Sequence, residues 1–198
     1  MTSNKDNTKY FYSVAIFLVL FDQITKICVK GFNLFGFEHE GMSLHETFNV
    51  IGDIVQFTFV ENAGMAFGIE FGVWKIILSL FSVAASIMLI VFLKKIKDEH
   101  WSVKTGVTLI LAGAFGNLID RVFYGVFYGE SDLFYGRVVD FIMVDIPDIH
   151  IPDFISYTHF PVFNVADSCV TCGVVLLLIF HKHIPDLNSF KKKASEAE

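Results

Sequence analysis

Apolar residues do not alternate with polar ones along most of this chain; they run in blocks. Four blocks are close to 20 residues long and nearly free of charge, at residues 11–29, 73–93, 103–122 and 160–180. That is the length a helix needs to cross the hydrocarbon core of a bilayer, so each block predicts a membrane span. Between the first two blocks, Gln56, Phe57, Thr58 and Phe59 alternate polar and apolar, and the chain then enters the Gly-punctuated "ENAGMAFG". This pattern predicts a half-exposed strand followed by a turn, part of a small sheet lying on the membrane. Residues 123–159 carry three Phe-Tyr-Gly triplets and two Ile-Pro-Asp triplets. Their prolines oppose a continuous helix, and their tyrosines suit the headgroup level, which predicts an interfacial loop or helix segment, either an anchor or a lid.

The fold class expected is therefore an α-helical membrane protein with four transmembrane helices, a small extracytoplasmic β-sheet and an interfacial segment. It forms one integral membrane domain over residues 1–198. Composition agrees: 54% of residues are hydrophobic and only 18% charged, too apolar for a soluble domain of 198 residues. The first block is followed by "DQITKICVK" rather than a small-residue cleavage site, so it reads as a retained helix. Charge then orients the chain. Ten of its fifteen basic residues fall in the N-terminal tail, in or beside the loop at 94–102, and in the C-terminal tail. By the positive-inside rule both termini are expected in the cytoplasm, with residues 30–72 and 123–159 outside. The net charge of -6 arises with acidic residues concentrated in the outer segments, so nucleic acid is not an expected partner. Cys28, Cys169 and Cys172 all fall in predicted spans, which argues against a disulfide framework, and the last two read as small packing residues.

Polar residues interrupt the spans near their outer ends. In "FDQITK", Asp22 and Lys26 share a helix face and can pair, or the lysine can simply reach outward to water. Asn62 and Gly64 sit where the strand meets its turn, and the asparagine can merely bend the chain there. In "GAFGNLIDR", the small residues allow close helix approach, while Asn117, Asp120 and Arg121 lie three and four apart on one face. Asp140 in "RVVDFI" and Asp167 in "FNVADS" are carboxylates in apolar settings, with Asn164 nearby. Each alone has a plain explanation as a cap or network member. Charge inside a membrane is costly, though, and the two together suggest a carboxylate pair.

These motifs, "DQITK", "ENAGMAFG", "GAFGNLIDR", "GRVVDFI" and "FNVADS", occur in an order that resembles the lipoprotein signal peptidases, the signal peptidase II family. The resemblance implies an intramembrane aspartic endopeptidase of the bacterial inner membrane, with its site near the outer leaflet. It would remove signal peptides from diacylglyceryl-modified prolipoproteins, cutting just before the lipidated cysteine. By motif position Asp140 and Asp167 would be catalytic, with Asp22, Lys26, Asn62, Gly64, Asn117, Asp120, Arg121 and Asn164 binding substrate or supporting the site. No cofactor or metal is implied; the partners would be prolipoprotein and membrane lipid, and the protein a monomer. Met65 departs from the small residue usual in the family, and the segments after Arg121 and Asp140 look long for it.

Three rivals remain from the residues alone. Asp120, Asp140 and Asp167 can be drawn as ligands of a hard cation, but no His-rich spacing accompanies them. A small transporter also places carboxylates in spans, though nearer mid-membrane and with internal repeats. A structural scaffold would tolerate loss of Asp140.

Overall fold

The computed structural model describes residues 7–34, 36–64, 72–151 and 155–185. Helix α1 spans Thr8–Lys30 and ends at Gly31, whose φ of 82° lets the chain double back. Short strands β1, Phe32–Leu34, and β2, Phe37–His39, pair there as an antiparallel hairpin. The return passes so close that a Cβ on Gly31 would sit 2.5 Å from the Glu40 carbonyl oxygen, so glycine is required for space as well as for φ.

Strands β3, Thr47–Ile51, and β4, Val55–Asn62, follow; β4 is the strand predicted from alternation. Helices α2, Gly72–Lys95, and α3, Trp101–Ile119, form an antiparallel hairpin with a short turn. The chain leaves α3 through one π-turn, Asp120–Tyr124, and one last helical turn, α4, Gly125–Phe127. Two further strands, β5 over Val138–Ile151 and β6 over Ile155–His159, come from the segment expected to be loop or helix. They complete an antiparallel sheet of order β3-β4-β5-β6. The prolines do exclude a helix there, but Pro147 is accommodated within β5 where its pairing with β6 shifts register. The second Ile-Pro-Asp triplet lies largely outside the described residues, as do Met65 and the rest of the turn beyond Gly64.

Among the described residues, three helices are long and apolar enough to cross a membrane: Thr8–Lys30, Lys75–Lys95 and Trp101–Phe127. Their outer faces expose Ile16, Phe17, Ile24, Phe81, Ile87 and Met88, a belt that water would penalise and lipid would not. The fourth block is shorter than its sequence suggests. Helix α5 covers Val165–Ile179, 15 residues or roughly 22 Å. Residues 160–163 are extended instead, because Phe163 exchanges backbone hydrogen bonds with Ile142. Asp167 consequently lies in the first turn of a helix rather than two turns inside one.

Helix α3 is central and packs against α1, α2 and α5. Its contact with α5 is nearly backbone on backbone, through Gly106 and Gly113 on one helix and Gly173 and Ala166 on the other. Of the cysteine pair only Cys169 packs here; Cys172 is exposed. A Cβ on Gly113 would lie 2.2 Å from the Ala166 carbonyl oxygen. Gly113→Ala is therefore expected to push α5 outward and cost about 1–3 kcal/mol, read as a lowered unfolding midpoint in detergent. An unchanged midpoint would mean the helices are not so tightly seated.

One end of the bundle, where α1 begins, α2 turns into α3 and α5 ends, is closed by Phe11, Leu93, Ile96 and Val103. At the other end Phe59, Val139 and Phe141 of the sheet rest on Val29 and Tyr124. The polar residues gather just beneath this sheet.

Candidate active site

Lys26 is wholly buried, and its ammonium group has three acceptors: Asp22 Oδ2 at 2.9 Å, Asp120 Oδ2 at 2.8 Å and Asn117 Oδ1 at 2.9 Å. All three of its protons are thus used, and it does not reach outward to water. The Asp22–Lys26 spacing places both on one face of α1, and Asn117 of α3 and Asp120 of the π-turn supply the other two acceptors. Asp22 also accepts from the Ala166 backbone N–H at the start of α5, and Asp120 from the Val139 backbone N–H of β5. One buried charge cluster therefore holds α1, α3, α5 and β5 in register. Its cost is tolerable because each charge is paired and further hydrogen-bonded.

On this platform sit the two carboxylates. Asp140 lies on β5 opposite Val60 of β4, is 3% exposed, and accepts from Asn164 Nδ2 at 2.8 Å and Asn62 Nδ2 at 3.1 Å. Asp167 accepts from Asn117 Nδ2 at 2.7 Å and from the Asn164 backbone N–H at 3.2 Å. Asn164 thus touches both. It begins α5 in extended conformation, and its Oδ1 takes the Asp167 N–H while Asp167 returns the bond, a reciprocal cap. The same asparagine also donates to Asn117 Oδ1 and to the Val139 carbonyl oxygen.

The remaining predicted residues fall close by. Asn62 turns its Oδ1 to the Gly64 N–H, and Gly64, at φ 80°, starts the turn away from the sheet. Arg121 belongs to the π-turn, and its Nε is buried with no hydrogen-bond partner among the described residues. Burial pushes the Asp140 carboxyl up to about 7; the charge of Asp167 adds to this, and hydrogen bonds from Asn62 and Asn164 oppose it.

Two members were not legible as site residues. Gln23 donates to Asp120 Oδ1 at 2.9 Å and to the Gly116 carbonyl oxygen at 3.1 Å, and it accepts from Tyr124 Oη at 3.0 Å. In sequence it is an ordinary polar residue beside Asp22. Tyr124 belongs to a Phe-Tyr-Gly triplet and reads as an interfacial aromatic, whereas the π-turn swings its hydroxyl inward. The triplets at Phe123 and Phe127 share this design: phenylalanine out, tyrosine in.

A family model described as "Signal peptidase (SPase) II" matches residues 14–182. A lipoprotein signal peptidase of Porphyromonas gingivalis is 35% identical over 196 residues, covering 86% of this chain and 82% of its own. One of Streptomyces coelicolor is 34% identical over 179 residues, covering 90% of this chain and 72% of its own. A solved bacterial membrane enzyme, determined by the in meso method at 1.9 Å resolution, is similar with a TM-score of 0.59 at 30% identity. The similarity covers 86% of this chain and 91% of that one.

Proposed function

Because this chain belongs to the signal peptidase II family, and is thus a membrane protease that processes prolipoproteins, we propose that it is an aspartic endopeptidase whose catalytic pair is Asp140 and Asp167. The observation that carries this reading is Asn164, which hydrogen-bonds both carboxylates and so fixes one against the other. Two carboxylates held together away from bulk water share one proton, giving an acid and a base at neutral pH. Asp140, raised by burial, is the acid; Asp167 is the base.

Asp167 takes a proton from a water molecule as that water attacks the scissile carbonyl carbon, and Asp140 donates to the carbonyl oxygen. As the tetrahedral intermediate collapses, Asp140 takes back a proton from one of its hydroxyls and the departing amine of the downstream cysteine receives the proton Asp167 had taken. The Asn62 and Asn164 amides hold Asp140, and Asn117 holds Asp167, so little reorganisation is needed. Lys26, Asp22 and Asp120 act through these asparagines and the backbone rather than on substrate.

The proposed orientation puts both termini in the cytoplasm and the sheet at the outer leaflet, so a diacylglyceryl-modified cysteine and its apolar signal helix approach laterally through lipid to a monomeric enzyme. Purified protein is expected to cut a lipidated prolipoprotein just before the modified cysteine and to spare the unmodified precursor. Equal cutting of both would remove the lipid requirement.

The acid needs its proton, so cleavage should fall as pH rises through about 7. Asn62 donates to Asp140 and favours its ionised form, so Asn62→Ala should move this alkaline limb to higher pH. A pH–rate profile of the two proteins checks the sign; a limb that stays put or moves down would contradict the assignment of Asp140 as acid.

A further inference from the structure

Successive residues of a strand point to opposite faces. Asn62 meets Asp140, so its neighbour Glu61 faces the other way, where a cavity of about 570 Å³ opens beside Lys75, Glu130, Asp132, Tyr135 and Arg137. That is within the roughly 300–1,000 Å³ of small-molecule sites. None of these groups is used by the chemistry proposed above.

The charges of this cavity are only partly spent on one another. Lys30 pairs with Glu61 and with Glu130, the latter at 2.7 Å, and lies 4.3 Å from the centre of the Tyr128 ring. Arg137 reaches Glu61 through one nitrogen at 3.3 Å and makes no other ion pair or side-chain hydrogen bond among the described residues. The Lys75 ammonium and the Asp132 carboxylate have no partner among the described residues. One wall thus keeps a spare positive charge and another a spare negative one. A simple anion would meet three carboxylates, and a simple cation would meet Lys75 and Arg137. A ligand carrying both charges satisfies both walls.

Its position names the source. Lys75 is the first residue of the apolar span Lys75–Lys95, so the mouth of the cavity stands at the level of the headgroups. We propose that this cavity holds the headgroup of a zwitterionic phospholipid of the phosphatidylethanolamine type, with its phosphate between Lys75 and Arg137 and its ammonium against Asp132 and Glu130. Such a lipid would tie the start of α2 to the loop that precedes β5, next to the strand that bears Asp140.

Native mass spectrometry of the delipidated protein titrated with phosphatidylethanolamine or phosphatidylglycerol tests this. The wild type is expected to hold phosphatidylethanolamine about tenfold more tightly than phosphatidylglycerol, because only the former presents an ammonium to Asp132. The double variant Lys75→Ala with Asp132→Ala should lose that preference while its cleavage rate and unfolding midpoint stay near wild type, and Arg137→Gln should weaken binding in the same direction. Unchanged preference in both variants would overturn the site. So would a raised KM for prolipoprotein without altered lipid binding, which would give the cavity to the substrate. Displacement by soluble phosphoethanolamine at concentrations matching the lipid would give it to a soluble ligand.

Discussion

Asp140→Asn is expected to reduce cleavage by about 10²–10⁴-fold, the contribution of a positioned acid–base group, while leaving the fold intact. The amide is the same size and keeps one of the two hydrogen bonds; the other donor, Asn62, reaches the surface and can turn to water. Burial raises the carboxyl from an ordinary 3.8 to about 7, so the folded state holds this proton more tightly than the unfolded one. Wild type accordingly loses stability as pH rises between those values, and the variant escapes that loss. Its unfolding midpoint at alkaline pH should be no lower than wild type. Asp167→Asn should be equally inactive but less stable by about 1 kcal/mol, since Asp167 also closes the cap of α5. Initial rates on a lipidated precursor, beside unfolding curves, check both; an Asp140→Asn enzyme that cuts at the wild-type rate would return the aspartates to a structural role.

The largest loss of stability is expected from Lys26→Met. The substitution keeps the volume and the apolar stem but leaves Asp22, Asp120 and Asn117 facing one another without their shared donor. Breaking a buried pair by removing one partner costs about 3–5 kcal/mol, a large part of the roughly 5–15 kcal/mol that holds a typical domain. Adding Asp120→Asn to Lys26→Met should restore part of the loss, because one orphaned charge disappears. Denaturation in detergent measures both; a Lys26→Met protein as stable as wild type would show that the cluster does not hold the helices together.

Much of this arrangement was legible because membranes punish polarity. Asp22, Lys26, Asn117, Asp120, Asp140, Asn164 and Asp167 stood out against apolar runs, and every one of them enters the network beneath the sheet. Strand β4 was legible from its alternation, and α1, α2 and α3 from length and hydropathy. The start of α5 was obscured because an apolar extended segment and an apolar helix have the same hydropathy; only Pro161 and the Asn164-to-Asp167 spacing mark the boundary. Strands β5 and β6 were missed since β5 is set by pairing with β4 and β6 by pairing with β5, and the contact with β4 is a long-range one that no local pattern encodes. Gln23 and Tyr124 were missed for a related reason. Nothing local distinguishes a glutamine that spans three elements from one that meets water.

The central claim is that Asp140 and Asp167 activate water directly. A single turnover with enzyme in excess, run in ¹⁸O-enriched water with EDTA present, tests it by mass analysis of the released signal peptide. Direct attack by water predicts one ¹⁸O in its new carboxyl group in that first turnover. An unlabelled first product with the label left on an enzyme aspartate, or no product until a metal is restored, would contradict it.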